Sequence, residues 1–304
     1  FDIYRYILSS ETKIIFSFFH TTSALLKFLR NFSLKKPKLL FQFTNNLSYQ
    51  NSQIKSNKNK FNFIDKICNF YILNGKNKNT IYQSVSQGIA NDLKNNWKFN
   101  KKINVIYNPI NINNIEKTIF KKIHQNKIKE IKHKYIIAIG RLTYQKNFDL
   151  LIYVFSKIYK ELNIKLLILG EGEDRKKLET LVNKLNLTKE IIFLGYINAP
   201  YYILSKAELM ILCSRYEGFG IVLAESLACN TNIISSDCNY GPSEILENGK
   251  WGDLFPVGDI KSLKELIIKN INNPPNKNIR LRAEEFDIKK ISKKYFELIN
   301  KFHN

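Results

Sequence analysis

From residue 135 onward the chain alternates short, wholly apolar runs with amphipathic stretches, and no other feature restricts its fold as strongly. "YIIAIG" precedes "FDLLIYVFSKIYKEL", and "KLLILG" precedes "EDRKKLETLVNKLNL". "EIIFLG", "ELMILC" before "IVLAESLAC", and "TNIISS" complete the series. A strand with one wet face alternates apolar and polar residues, and these runs do not, so both of their faces must be covered. Crossover helices between such strands are right-handed, which predicts a doubly wound α/β domain around a parallel sheet.

The N-terminal part repeats this pattern more weakly. "TKIIFSF", "PKLLFQF" and "TIYQSVS" read as strands, and "FNFIDKICNFYIL" and "QGIANDLKNN" as helices. Asn108-Pro109 ends "INVIYNPI", and a polar, Lys/Asn-rich stretch running to about residue 134 reads as the interdomain connection. With 304 residues there is chain for two domains. They are expected at 1–110 and 111–285, with a final amphipathic helix over 286–304 that can pack back on the first domain.

Composition narrows the possibilities further. A 44% hydrophobic content excludes wholesale disorder. The net charge of +22 is concentrated in residues 1–107, which hold 17 Lys/Arg against 4 Asp/Glu. Such a surface attracts anionic membrane, at about 1 kcal/mol per well-placed cation, or a polyanion such as RNA. Charge alone does not choose between them. Cys68, Cys213, Cys229 and Cys238 show neither C-x-x-C spacing nor a His cluster, and read as reduced structural thiols. The longest apolar stretch, "IIFSFFHTTSALLKFL", is interrupted by His20 and by threonines, so no transmembrane helix is expected.

The residues with chemical potential all follow strands, where open α/β sheets bind ligands. In "IGRLTYQKN", Gly140 allows close approach, and Arg141 and Lys146 can bracket a pyrophosphate; the same loop also reads as a solvated basic turn. Gly170 and Gly172 follow the next strand and Gly195 the third. Each alone is an ordinary turn; together they look like a cleft floor. Pro242 and Glu244 open another helix, where a carboxylate also serves as plain capping.

The most informative stretch is "CSRYEGFGIVLAESLACN". Gly218 and Gly220 free backbone N–H groups at the start of a helix near Ile221, an end suited to phosphate. Glu217 lies in that turn and would face whatever is attached to the phosphate. Glu225, expected two turns into the helix, could accept two hydrogen bonds from a diol such as ribose, or be a partly buried structural carboxylate. Two carboxylates beside a phosphate make sense when each faces hydroxyls, as a sugar nucleotide provides.

These segments, with "LLILGEGEDRKKLE", "IIFLGY" and "SSDCNYGPSEIL", resemble the C-terminal domain of family 4 glycosyltransferases over about residues 104–300. The resemblance implies the α/β GT-B fold: two Rossmann-like domains facing a cleft that takes a nucleotide-sugar donor, with retention at the anomeric carbon. On it, Arg141 and Lys146 neutralise the departing diphosphate, Glu217 holds donor-sugar hydroxyls and Glu225 the ribose. Gly140, Gly170 and the turn Gly218, Phe219, Gly220 and Ile221 complete the donor-binding set, with Tyr196 near the base. "YQSVSQGIANDL" and "VIYNPI" are similar to the family's interdomain-facing strand, helix and linker.

Two departures stand out. Thr44 follows "LLFQF" where many relatives have a histidine, with His20 one strand earlier. The family's first strand and Gly-rich loop are not found, the chain opens at Phe1, and its single methionine is Met210, so a fragment or processed chain with a truncated first domain is expected. No Asp-x-Asp occurs, so no metal is expected, and no cofactor, the nucleotide sugar being a co-substrate. The resemblance also favours an anionic membrane surface over nucleic acid as partner of the basic N-terminal part, at the cytoplasmic face, with a lipid-linked or polysaccharide acceptor. Other readings are a sugar-nucleotide epimerase of the same fold, a non-catalytic donor-binding remnant, and a basic RNA-binding protein; the last lacks aromatic-basic interleaving.

Overall fold

A computed structural model of the chain describes residues 14–18, 20–30, 37–44, 48, 71–72, 79–121, 133–275 and 278–303. The helix expected over "FNFIDKICNFYIL" falls outside these residues except at its end, where 71–72 are helical, and Cys68 also lies outside them. The chain divides into two compact units, Phe1–Tyr107 and Asn108–Asn304.

The first unit carries a parallel sheet with strands in sequence order: β1 (Ile14–Ser17), β2 (Lys38–Phe43), β3 (Thr80–Ser84) and β4 (Ile103–Val105). β2 is buried along almost its whole length, as a central strand covered on both faces must be. Helix α1 (His20–Arg30) connects β1 to β2, and Thr44 lies directly after β2. Helix α2 (Gln87–Asn95) starts where Ser86, in extended conformation, accepts a hydrogen bond from Ile89 N at 3.2 Å. Its buried Ile89, Ala90 and Leu93 repeat at helical spacing.

The second unit is built on six parallel strands: β5 (Tyr135–Ile139), β6 (Lys165–Leu169), β7 (Ile191–Gly195), β8 (Leu209–Leu212), β9 (Ile233–Ser236) and β10 (Asp253–Phe255). Their spatial order is β10-β9-β8-β5-β6-β7. Three strands are laid down outward from β5 on one side, and the next three outward from β8 on the other. That is the doubly wound order, and its reversal lies between β5 and β8.

Helices α4 (Phe148–Phe155), α6 (Arg175–Lys184) and α10 (Ile260–Asn272) share one apolar core with the strands. In it Leu151, Ile152, Phe155, Leu178, Val182, Leu263 and Ile267 meet Ile136, Leu166, Ile168 and Ile234. Isolated helices shorter than about 12–15 residues are marginal in water, so the eight residues of α4 are helical because their apolar face is buried. Fully burying a side chain such as Phe155 is worth about 1.5–3 kcal/mol. A short α5 (Tyr159–Leu162) leads into β6. Helices α7 (Tyr201–Ser205), α8 (Ile221–Ala228) and α9 (Pro242–Ile245) follow β7, β8 and β9.

One sequence expectation needs correction. The stretch taken as a polar connection holds an amphipathic helix of the second unit, α3 (Ile112–Phe120). Asn111 caps it by accepting from Asn114 N at 3.0 Å, and Ile112, Ile115 and Thr118 are buried at three-residue spacing. It packs against α7 and α8. The Lys/Asn richness between those positions hid the period. At the far end, α11 (Arg280–Ala283), a 3-10 turn (Glu284–Phe286) and α12 (Ile288–His303) follow α10. Ile110 is bonded through N to Phe286 O and through O to Ile288 N, so the start of α12 is held within the second unit.

The glycines at the strand ends are explained by the loops themselves. Gly170 has φ +135, and a Cβ there would sit 1.9 Å from Gly140 O. At Gly172 a Cβ would meet Leu142 O at 2.3 Å. These loops are tied by Gly140 N to Leu169 O, Leu142 N to Glu171 O and Gly170 N to Gly195 O, each at 2.9 Å. What approaches closely at Gly170 and Gly172 is thus neighbouring backbone. Gly258, with φ +82, has nothing within 4 Å of its Cβ position. Gly258→Ala should therefore cost about 1 kcal/mol of backbone strain, and Gly170→Ala at least about 2 kcal/mol more because overpacking is added. Urea unfolding of both variants checks this, and equal losses would contradict it.

Candidate functional site

The loops that leave β5 and β8 part company at the carboxyl ends of adjacent strands, which is where a doubly wound sheet opens a crevice. In this chain they are stitched together. Arg215 N donates to Gln145 O at 2.8 Å, and Gln145 Nε2 donates to Tyr216 O at 2.9 Å. The Arg215 guanidinium lies 4.0 Å over the Tyr144 ring and 3.5 Å from Asp149. At the centre Lys146 Nζ donates to Glu217 Oε1 at 2.5 Å, with side chains 14% and 7% exposed. The same oxygen accepts from Ser214 Oγ at 2.6 Å, and Ser236 Oγ donates to Ser214 O at 2.6 Å.

Local chain geometry sets this pair. Lys146 ends a 3-10 turn (Tyr144–Lys146), and the buried Asn147, left-handed at φ 54, redirects the chain into α4. A Cβ at Gly140 would meet Lys146 Cε at 3.2 Å, so the lysine stem lies across that glycine. Arg141, two residues from Thr143 in the same loop, is exposed and pairs with no described residue. Removing either partner of a buried pair strands a charge, at about 3–5 kcal/mol.

Gly220 caps α8 in left-handed conformation, φ +87, with no side-chain cap bond. Leu223 N donates to Gly220 O at 2.9 Å, and the N–H groups of Ile221 and Val222 have no partner among the described residues, so this end offers donors and partial positive charge. The turn before it is tied to the loop after β9 by Glu217 N to Asn239 O at 3.1 Å and Tyr240 N to Glu217 O at 2.8 Å. A Cβ at Gly241 would lie 2.1 Å from Phe219 O. The Phe219 side chain is buried edge-on against Phe286, with ring centroids 5.6 Å apart. Of the proposed binding residues, Phe219 is thus one whose side chain belongs to the core, leaving its backbone. Ile221, first in α8, is 44% exposed.

Glu225 is the fifth residue of α8, so it stands just over one turn into the helix and not two. Its Oε1 accepts from Tyr201 Oη at 3.0 Å. Burial pushes its carboxyl above the ordinary carboxylate range, and the Tyr201 hydrogen bond opposes that shift. Burial also raises the Tyr201 hydroxyl, so it stays a donor. Cys229, one turn on, lies with Sγ 3.8 Å from Tyr201 O, and its thiol is pushed up by burial and by Glu225. Tyr196 follows Gly195 on the preceding loop and is 74% exposed.

Two clusters therefore share one helix. Gly140, Lys146 and Glu217 meet beside the start of α8, and Glu225 with Tyr201 lies about 6 Å further along its axis. Gly170 belongs to the backbone ladder under the first cluster. Glu244 sits on α9, whose last carbonyls accept from Arg282, at 2.8 Å for Glu244 O and 2.9 Å for Ile245 O. Ser214, Arg215 and Tyr201 were missed by sequence reasoning. Ser214 and Arg215 stand three and two residues before Glu217 and could have been suspected; no local signal ties Tyr201 to Glu225. Cys213, Cys229 and Cys238 are buried and free. Among the described residues no group of three or more His, Cys, Asp or Glu could hold a metal ion, and no helix is long and apolar enough to cross a membrane.

Chemically, the arrangement can take an anion at the helix start and hydroxyls at the two carboxylates. Over 214 residues the chain is 34% identical to N-acetylgalactosamine-N,N'-diacetylbacillosaminyl-diphospho-undecaprenol 4-alpha-N-acetylgalactosaminyltransferase of Campylobacter jejuni, covering 68% of this chain and 56% of that protein. It is 29% identical to N-acetyl-alpha-D-glucosaminyl L-malate synthase of Bacillus anthracis, covering 73% and 58%. The chain thus spans little more than half the length of these relatives. Anabaena Alr3699/HepE, solved in complex with UDP, superposes with a TM-score of 0.80 at 17% identity, over 99% of this chain and 81% of that one, and shares the GT-B fold. The family profile described as glycosyl transferases group 1 matches residues 119–286, more than half of the chain, and the chain belongs to that family.

Proposed function

We propose that the chain is a retaining hexosyltransferase that moves a sugar from a nucleoside diphosphate sugar, a UDP-sugar by preference, to a lipid-linked or polysaccharide acceptor. The observation that carries this reading is the fused pair of loops at the sheet reversal, with Lys146 and Glu217 in contact beside the open start of α8. An ammonium has three donors, so Lys146 can keep Glu217 and also donate to a phosphate. Arg141, exposed and unpaired among the described residues, supplies the second cation. Glu217 Oε1 is taken by Lys146 and Ser214, while Oε2 has no donor among the described residues and suits a sugar hydroxyl. Glu225 meets the ribose, and Tyr196 lies towards the base.

In the reaction the anomeric carbon's bond to the diphosphate breaks, one to the acceptor oxygen forms, and the acceptor hydroxyl's proton passes to an oxygen of the departing diphosphate. Negative charge grows on the leaving diphosphate. Lys146, Arg141 and the α8 dipole stabilise it in the role a divalent ion would fill, so we propose a metal-independent transfer with no cofactor. The UDP preference is supported by the UDP bound to the similar HepE structure. The C. jejuni relative, named for a diphospho-undecaprenol acceptor, supports a lipid-linked one. The basic surplus of residues 1–107 fits an anionic membrane surface, and we place the protein peripherally at its cytoplasmic face.

Calorimetry with UDP and GDP, without added metal and again with EDTA, tests the donor site. One nucleotide should bind at micromolar Kd in both conditions. Arg141→Ala and Glu225→Ala should each weaken it by roughly tenfold or more, as expected for charge-assisted hydrogen bonds. Failure of both nucleotides to bind a folded chain would sink the reading.

The pH dependence has a definite sign. Accepting ribose hydroxyls favours ionised Glu225, so affinity is present above its pKa and lost as pH falls through it. Because burial raises that pKa, the loss should begin above the ordinary glutamate value of about 4.3. The nucleotide's terminal phosphate itself titrates near about pH 6, so the comparison is with Glu225→Gln. Wild type should show an acid limb that the variant lacks; identical profiles would assign the whole limb to the nucleotide.

A further inference from the structure

Glu225 is held by a hydroxyl that comes from another element. Tyr201 opens α7, and its Oη reaches Glu225 Oε1 across 24 residues of sequence. No ion pair and no other described donor is recorded at that carboxylate. The short α7 is itself fixed from several directions. Tyr202, Ile203 and Leu204 are buried, Tyr135 Oη donates to Ile203 O at 2.7 Å, and Thr231 Oγ1 donates to Leu204 O at 2.8 Å. The loop leading to it turns through left-handed residues at Gly195, φ +68, and Ala199, φ +52. The Tyr201 ring is therefore presented to Glu225 from a well-tied support.

The geometry points to Tyr201 as the positioning residue for ribose recognition: by occupying one side of Glu225, it fixes the carboxylate with Oε2 open to a vicinal diol. This rests on the donor-site reading above. A carboxylate offers about four acceptor positions on its two oxygens, and one hydrogen bond to Tyr201 leaves enough for both ribose hydroxyls. Without that bond, three side-chain torsions of Glu225 must be ordered by the ligand itself, a loss that falls on affinity. The effect is largest for ligands that present both hydroxyls, and this separates positioning from general support of the fold.

The test measures Kd by calorimetry for UDP and 2′-deoxy-UDP, or for GDP and 2′-deoxy-GDP if the guanine nucleotide binds. Wild type, Tyr201→Phe and Glu225→Gln are compared. Wild type should prefer the ribonucleotide by roughly tenfold or more, and Tyr201→Phe should cut that preference by roughly three- to tenfold, with the deoxynucleotide, which keeps only its 3′-hydroxyl for Glu225, weakened less than the ribonucleotide. Should Tyr201→Phe fail to fold, Glu225→Asp draws the carboxylate back from the hydroxyl and should lower the same ratio. Equal weakening of both nucleotides, or an undiminished preference, overturns the inference and leaves the donor site standing. A wild type indifferent to the 2′-hydroxyl also overturns it. If wild type binds none of the four nucleotides, the donor-site reading falls and the inference with it.

Discussion

The contact between Lys146 and Glu217 organises the face of the second unit that carries the proposed donor site. It joins residues 71 positions apart, on loops that leave adjacent strands in opposite directions. A partly buried ion pair of this kind contributes little net stability, because desolvation offsets most of the attraction. Its consequence is geometric. Glu217 is pinned by Lys146 and Ser214 on one oxygen, its backbone is bonded on both sides to the loop after β9, and the turn that follows has one path into α8. Loops from three strands are thereby held as one surface.

The helix that begins there links the two ends of the proposed donor. Its first two residues, Ile221 and Val222, offer N–H groups for the proposed diphosphate, and Glu225 one turn later stands about 6 Å away along the axis. A diphosphate and its ribose are separated by a similar step. The glycines around the site serve this packing as much as any ligand: Gly140 lets the lysine stem cross, and Gly241 lets Phe219 backbone approach. Buried Phe219 against Phe286 then ties the turn to the last segment of the unit.

Much of this was legible in the sequence because the physics involved is local. Wholly apolar runs separated by amphipathic helices leave few options other than a covered parallel sheet, and the strands occur where those runs are, except the three-residue β4 and β10, which no run announced. Gly218 and Gly220 before "IVLAESLA" announced a helix start, and α8 begins at Ile221. Long-range pairing was not readable. Nothing local says that Lys146 rests on Glu217, that Tyr201 holds Glu225, or that the Gly170 loop needs glycine for its neighbour's carbonyl. Composition also misled: α3 has only three buried positions in a Lys/Asn-rich stretch, and read as a linker. The helix start was placed correctly, but the four-residue step from Ile221 to Glu225 makes just over one turn, and the depth of Glu225 was overestimated.

The most direct measurement is a crystal structure of the chain with the bound nucleoside diphosphate. The expected result places the diphosphate at the start of α8, with Lys146 Nζ and the Arg141 guanidinium within hydrogen-bonding distance of its oxygens and the ribose on Glu225. A nucleotide held elsewhere, with the Lys146–Glu217 pair and the first turn of α8 untouched, would contradict the account.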